Sequence, residues 1–287
     1  MPRIPILTFI LMIGICAHAE AGPIGYSVRA HTGDALYAID LSTGIGTNLG
    51  RLVFGDAEGI AIVGGSLYSI GGGVEELWYI ATPPGAKIAD TGPRLGGDAG
   101  LAEDVSGGLY NLQGDLNGTS HLYRIDPLTG SAAFIGSSNT YADGLAIDSA
   151  GRAFAVDGIF TDSLYSVDLT TGGLTNVGSL GLGNTTFHTG LSFDDTGNLW
   201  MISHVSHTYT IDTATGLATQ IARVTSDGFF INGFMGLAID TSAVETHATA
   251  PEPGTLTLLT IGAALTALRG RRRRASIRRS DGCTLHN

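Results

Sequence analysis

Apolar and polar residues alternate along most of this chain in runs of five or six, and two such runs return again and again. The first has the form LYxIDxxTG. It spans Leu36 to Gly44, Leu122 to Gly130 and Leu164 to Gly172, recurs with its first position altered from Thr208 to Gly216, and survives as a worn copy from Leu77 to Gly85. The second is built on GLAID and starts at Gly59, Gly100, Gly144, Gly190 and Gly236. Alternation with a period of two predicts half-buried strands. The Asp-to-Gly endings predict tight turns, because an aspartate accepts bonds from turn amides and a glycine supplies positive φ. Successive copies lie 41 to 46 residues apart.

A repeat of that length carrying four strand-like pieces is the sequence sign of a β-propeller blade. In the clearest copy, Gly144 to Asp148 is strand A, Arg152 to Val156 strand B, Ser163 to Asp168 strand C and Leu174 to Val177 strand D. Counting copies predicts an all-β chain with one propeller of five four-stranded blades over residues 25–241. Tyr26 to Ala30, Leu36 to Asp40 and Thr47 to Leu49 supply strands B, C and D of a first blade. The orphan Gly236 to Asp240 supplies its strand A, so the N- and C-terminal strands close the ring in one blade and leave no free edge around it. Six blades are the alternative, and would need a cryptic blade between Gly71 and Gly97. The blade motif resembles propellers of the NHL and streptogramin-lyase type; that resemblance implies the fold and carries no active site.

Composition agrees with many turns: 43 glycines against nine prolines, without collagen-like spacing. The net charge of −11 understates the acidity of the body, because Arg3 and seven arginines between 269 and 279 lie in the end segments, whose acids there are Glu252 and Asp281. Such a body repels nucleic acid and anionic lipid. Both cysteines, Cys16 and Cys283, also fall in the ends, so a mature body has neither disulfide nor thiol chemistry.

The ends carry an address. Met-Pro-Arg, an apolar run from Ile4 to Ala17 and the small-residue string AHAEAG form the three parts of a secretory signal peptide over residues 1–21, with cleavage after Ala19 or Ala21. A lipoprotein reading of Cys16 is weakened by the branched Ile15 before it. After a linker at 242–250, Pro251, Glu252 and Pro253 precede an apolar run from Leu256 to Leu268 and the cluster RGRRRR. This arrangement, residues 251–274, resembles the PEP-CTERM sorting signal. The resemblance implies export of a bacterial protein to the surface or extracellular matrix, an exosortase as partner, transient membrane anchoring through residues 256–268, and a biofilm or exopolysaccharide setting. The run is short for a stable span. An ordinary tail anchor is the alternative, and residues 275–287 extend past the point where such tails usually stop.

In a propeller the A-to-B and C-to-D turns share one face; the B-to-C and D-to-A connections share the other. The first set is short and repetitive here, the second long and different in every blade, and varied loops on a repeated scaffold are where binding is built. The D-to-A connections place Asp56, Glu58, Asp98, Asp143 and His188 near the central mouth. The B-to-C connections contribute His31, Asp34, Glu75, Glu76, Asp115, Asn117, Asp157, Asp162, His204 and His207. Glu58, Asp98 and Asp143 offer oxygen ligands that suit Ca²⁺; His188, His204 and His207 suit a transition metal; solvated polar loops without a metal are the plainer alternative. The body holds no GxSxG, Walker loop, Rossmann fingerprint or catalytic cysteine. The sequence therefore points to a non-enzymatic binding or scaffold protein, with extracellular polysaccharide or a surface protein as ligand. A propeller hydrolase or lyase with a metal-assisted site is the alternative.

Overall fold

Alternating residues zip into antiparallel pairs, and five times over the chain builds a four-stranded sheet from its repeat. The computed structural model describes residues 22–30, 34–53, 55, 57–71, 76–80, 86–90, 98–115, 117–183 and 189–241. The signal peptide, PEP string and apolar run read from the sequence lie outside these residues, as do His31, Asp56, Glu75 and His188. Among the described residues no helix is long and apolar enough to cross a membrane.

Blade 1 contains β1 (Ile24–Arg29), β2 (Ala35–Asp40) and β3 (Gly46–Arg51). Blade 2 contains β4 (Ala57–Val63), β5 (Ser66–Gly71), β6 (Glu76–Ile80) and β7 (Ala86–Asp90). Blade 3 contains β8 (Ala99–Glu103), β9 (Leu109–Gly114), β10 (Ser120–Ile125) and β11 (Ala132–Ser138). Blade 4 contains β12 (Gly144–Ile147), β13 (Ala153–Asp157), β14 (Ser163–Val167) and β15 (Leu174–Ser179). Blade 5 contains β16 (Thr189–Phe193), β17 (Leu199–Ser203), β18 (His207–Ile211) and β19 (Ala218–Arg223). A small hairpin follows, β20 (Thr225–Ser226) and β21 (Phe229–Phe230), before β22 (Phe234–Ile239). Strand β22 pairs with β1, giving the order β22-β1-β2-β3, so the last strand becomes the inner strand of the first blade. The inner strands β22, β4, β8, β12 and β16 neighbour one another in a closed circle. The fold is a five-bladed propeller. The six-blade alternative is overturned, because β6 and β7 fall in the worn region as ordinary strands C and D of blade 2.

The GLAID string records how tightly this ring closes. A methyl group on Gly100 would stand 2.5 Å from the carbonyl oxygen of Asp143, and one on Gly59 2.9 Å from that of Ala99, each in the next blade. Gly144 faces Thr189 and Leu191, Gly190 faces Gly236 and Leu237, and Gly236 faces Glu58 and Ile60 in the same way. The third position is small because an aromatic on strand B stands directly across from it: Ala238 with Tyr26, Ala61 with Tyr68, Ala102 with Tyr110, Ala146 with Phe154 and Ser192 with Trp200. These rings fill the seams between blades, where the apolar clusters lie.

Strand D runs two residues past its expected end, to Ser179 in blade 4, because every D strand contains a bulge at the same point. An extra residue twists an outer edge away from pairing with other chains. The turns behave as expected. Asp104, Asp148 and Asp194 each accept two amides in the A-to-B turns. Asp40, Asp126, Asp168 and Asp212 do the same work in the C-to-D turns, each closed by a glycine at positive φ.

Candidate functional site at the axial mouth

The residue just before the GLAID glycine points at the axis in every blade. Glu58, Ala99, Asp143, Thr189 and Met235, with Asp98 and Gly236, line one small cavity there. It has about 10 Å³ of room for the centre of a water-sized sphere, enough for a single water or a bare ion. Glu58 and Asp143 are buried, the latter at 2% exposure.

Tyr141 organises this mouth. Its hydroxyl donates to Asp98 Oδ2 at 2.7 Å and lies 3.4 Å from Asp143 Oδ2, so one phenol bridges carboxylates from two D-to-A connections. Thr189 Oγ1 donates to Asp143 Oδ1 at 3.3 Å from a third. The segment is pinned locally: Ser120 Oγ accepts the Ala142 amide at 2.7 Å and donates to the Thr140 carbonyl at 2.7 Å. Gly114 leaves the space for the ring, since a methyl group there would lie 2.6 Å from Tyr141 Cε2. Burial pushes the Tyr141 phenol well above the ordinary tyrosine range, and the charges of Asp143 and Asp98 push it the same way. It remains a hydrogen-bond donor wherever the fold is intact. Phe160, 49% exposed, packs edge-on against Tyr141 with ring centroids 5.1 Å apart and carries an apolar surface to the rim.

The predicted carboxylates Glu58, Asp98 and Asp143 are thus brought together. Of the predicted histidines, His188 lies outside the described residues, and His204 in the β17–β18 turn and His207 at the start of β18 do not line this cavity. The His207 ring is held below the ordinary histidine range by burial, with the nearby Arg223 adding to the effect. Ser203 and His207 bond through the main chain of His207, so they are not paired as nucleophile and base. Among the described residues no three His, Cys, Asp or Glu side chains gather closely enough to hold a metal ion.

Several acids of the irregular face build loops. Asp157, fully buried, accepts the amides of Ile159, Phe160 and Thr161 and so aims Phe160. Asp162, at φ 50°, accepts the amides of Leu182 and Gly183 at 2.8 Å each and ties down the start of the connection that leads to Thr189. Asp115 accepts the amides of Asn117 and Thr119. The solvated-loop expectation does not hold for Asp157 and Asp162, which are 0% and 6% exposed. Sequence reasoning missed Tyr141, although its place two residues before Asp143 in an otherwise varied connection is a signal.

Fold and mouth together define a β-propeller whose axial opening is rich in hydrogen-bond acceptors. Neither a known sequence family nor any curated protein matches the chain. Among solved structures it is similar to a catalytically inactive variant of virginiamycin B lyase from Staphylococcus aureus with quinupristin. That match has 14% identity, 72% of each chain covered and a TM-score of 0.44. A chain of a nidogen/laminin complex matches at 16% identity, covering 72% of this chain and 77% of that one, with a TM-score of 0.49. A gluconolactonase from Xanthomonas campestris matches at 14% identity, over 76% and 86%, with a TM-score of 0.45. The propeller architecture rests on the sheet order above.

Proposed function

We propose that the protein is an exported, exosortase-sorted propeller of the cell surface or extracellular matrix that works by binding, as a non-enzymatic binding or scaffold protein in an exopolysaccharide or biofilm layer. The signal peptide and the PEP, apolar and arginine parts of the tail support the address. The observation that carries the binding reading is the Tyr141 bridge. It holds Asp98 and Asp143 in fixed positions beside Glu58, and carboxylate oxygens accept hydrogen bonds. A polyhydroxylated ligand at the rim presents the matching donors and meets the buried oxygens through the one water or ion the cavity admits, with the half-exposed Phe160 ring as an apolar face beside it. Ca²⁺ suits these oxygens. Since three of them do not converge by themselves, ligand hydroxyls would complete its shell.

Glycan-array binding with and without Ca²⁺, repeated on an Asp98→Ala, Asp143→Ala double variant, tests the reading. Cation-dependent glycan binding lost in the variant is the expected result. Turnover of a polysaccharide or lactone that His188→Ala abolishes would replace it with the hydrolase or lyase reading. Mass spectrometry of the mature protein tests the address: peptides should end near Thr255, and an intact RGRRRR peptide from the matrix would sink it.

A further inference from the structure

The β20–β21 hairpin, in the connection from blade 5 to β22, has no counterpart in the other blades. Asp227 and Gly228 turn it with φ of 51° and 79°, and its second strand is Phe229 and Phe230, 74% and 63% exposed. The Arg223 guanidinium lies over the Phe230 ring, with Cζ 3.9 Å from the ring centroid. Two residues further on, the Asn232 carbonyl accepts Arg29 Nε at 2.9 Å. The Cα atoms of residues 230 and 232 are at most about 7 Å apart, so one short segment carries a guanidinium at each end.

These two arginines differ from those of the A-to-B turns. Arg152 bonds Asp148 at 2.6 Å, and Arg124 and Asp104 flank Gly108 together. Among the described residues no carboxylate pairs with Arg29 or Arg223, although the chain has a net charge of −11. The repeat does not require them either. Arg223 stands opposite His207, and that place on strand D holds Asp90, Ser137 and Ser179 in blades 2, 3 and 4. Arg29 stands opposite Ala35, where blades 3 and 4 have Gln113 and Asp157.

We propose that Arg223 on Phe230, with Arg29 at Asn232, forms a second binding site, for a polysaccharide that carries carboxylate groups. A guanidinium matches a carboxylate with two parallel N–H donors, and stacking its plane on an aromatic ring leaves that edge available. The uncovered part of the Phe230 ring gives the C–H face of a sugar an apolar surface beside the charge. Carboxylates repeated along a chain suit two guanidinium groups on one segment, whereas a neutral glycan leaves both unpaired. The acidic body repels a dense polyanion such as nucleic acid. The site goes beyond the axial reading and stands apart from it: the mouth accepts hydrogen bonds, and this segment donates them.

Titration calorimetry of the full-length chain in mild detergent tests the site, with a calcium chelator present so that no cation bridges a carboxylate to the mouth. The probes are polygalacturonate oligomers, the same oligomers methyl-esterified, and polyglutamate of equal charge. The acid oligomers should bind, and esterification should abolish binding. Arg223→Gln should weaken binding at least about tenfold at an unchanged unfolding temperature, the worth of one charge-assisted pair. Arg223→Lys keeps the charge without the planar fork and should not restore it. The Asp98→Ala, Asp143→Ala double variant should bind these oligomers like the parent, which keeps the outcome separate from that of the axial site. Equal binding of acid and ester overturns the proposal, as does an Arg223→Gln variant that binds like the parent. Loss of binding in the double variant would move the ligand to the mouth and overturn it too. Polyglutamate bound as tightly as the oligomers would replace the sugar chain with an acidic protein partner.

Discussion

At the scale of single residues, the glycines of the axial ring and the phenol of Tyr141 set hard limits. Gly100 has an ordinary backbone conformation, so its requirement is purely one of space against the Asp143 carbonyl and the Leu145 amide, backbone atoms that cannot swing aside. Gly100→Ala should destabilise the fold by about 3 kcal/mol in urea unfolding, at the upper end for overpacking. Gly151 is the contrasting case: φ is 80° but open space surrounds it, so Gly151→Ala should cost only the left-handed backbone strain of about 1 kcal/mol. Tyr141→Phe keeps the ring between Phe160 and Gly114 and removes the hydroxyl, and with it the bond to Asp98 and the longer contact to the buried Asp143. Bonds to charged groups of this kind contribute roughly 1.5–3 kcal/mol, and a loss of that size by denaturant titration is the expected outcome. A neutral result would mean that the bridge does not hold the mouth.

At the scale of elements, the turns make stability depend on acid. Burial opposes charge on Asp40, Asp104, Asp148 and Asp194, but the turn hydrogen bonds outweigh it and hold these carboxyls below the ordinary value of 3.8. At Asp168 the Thr170 hydroxyl leads, with its amide and the Thr171 hydroxyl behind it, and the carboxyl is lowered to about 2. Groups whose folded value is depressed stabilise the fold above the unfolded value, and that contribution disappears as pH falls through the folded one. Thermal unfolding should therefore be flat above pH 3.8 as far as these turns are concerned, and fall steadily from there to about pH 2. Asp168→Asn should show a shallower decline than the parent over that window. The β20–β21 hairpin, which the repeat pattern gave no reason to expect, ties Thr225 of the last seam to Gly44 and Ile45 of blade 1.

At the scale of the whole molecule, one strand closes everything. Strand β22 covers the inner edge of β1, and Met235 and Gly236 supply the acceptors for the buried Ser27 hydroxyl at 3.1 and 2.7 Å. Phe234, fully buried, packs edge-on with Tyr37 at 5.3 Å across the same blade. Deleting Met235 to Asp240 should abolish the cooperative thermal transition, since it opens a sheet edge and unseals two seams together. A truncated protein that melted like the parent would show that the ring does not depend on this closure.

The sequence by itself determined the blade count, the shared first blade and the turn chemistry, because each is local or periodic: a fixed repeat, an Asp-to-Gly turn and an unmatched GLAID copy are all visible in one dimension. The carboxylates of the mouth were legible for the same reason, since Glu58 and Asp143 hold one position of the repeat. The tertiary structure alone decided which residues meet. The Tyr141 bridge joins Asp98 to Asp143, 45 positions apart in the chain, and the glycine ring exists only once five inner strands converge on one axis. The D-strand bulges escaped notice because they break the period of two within a single residue. The burial of Asp157 and Asp162 depends on loops folding over them. Linear spacing encodes turns and strands; convergence around an axis depends on how separate blades pack, and no single segment contains it.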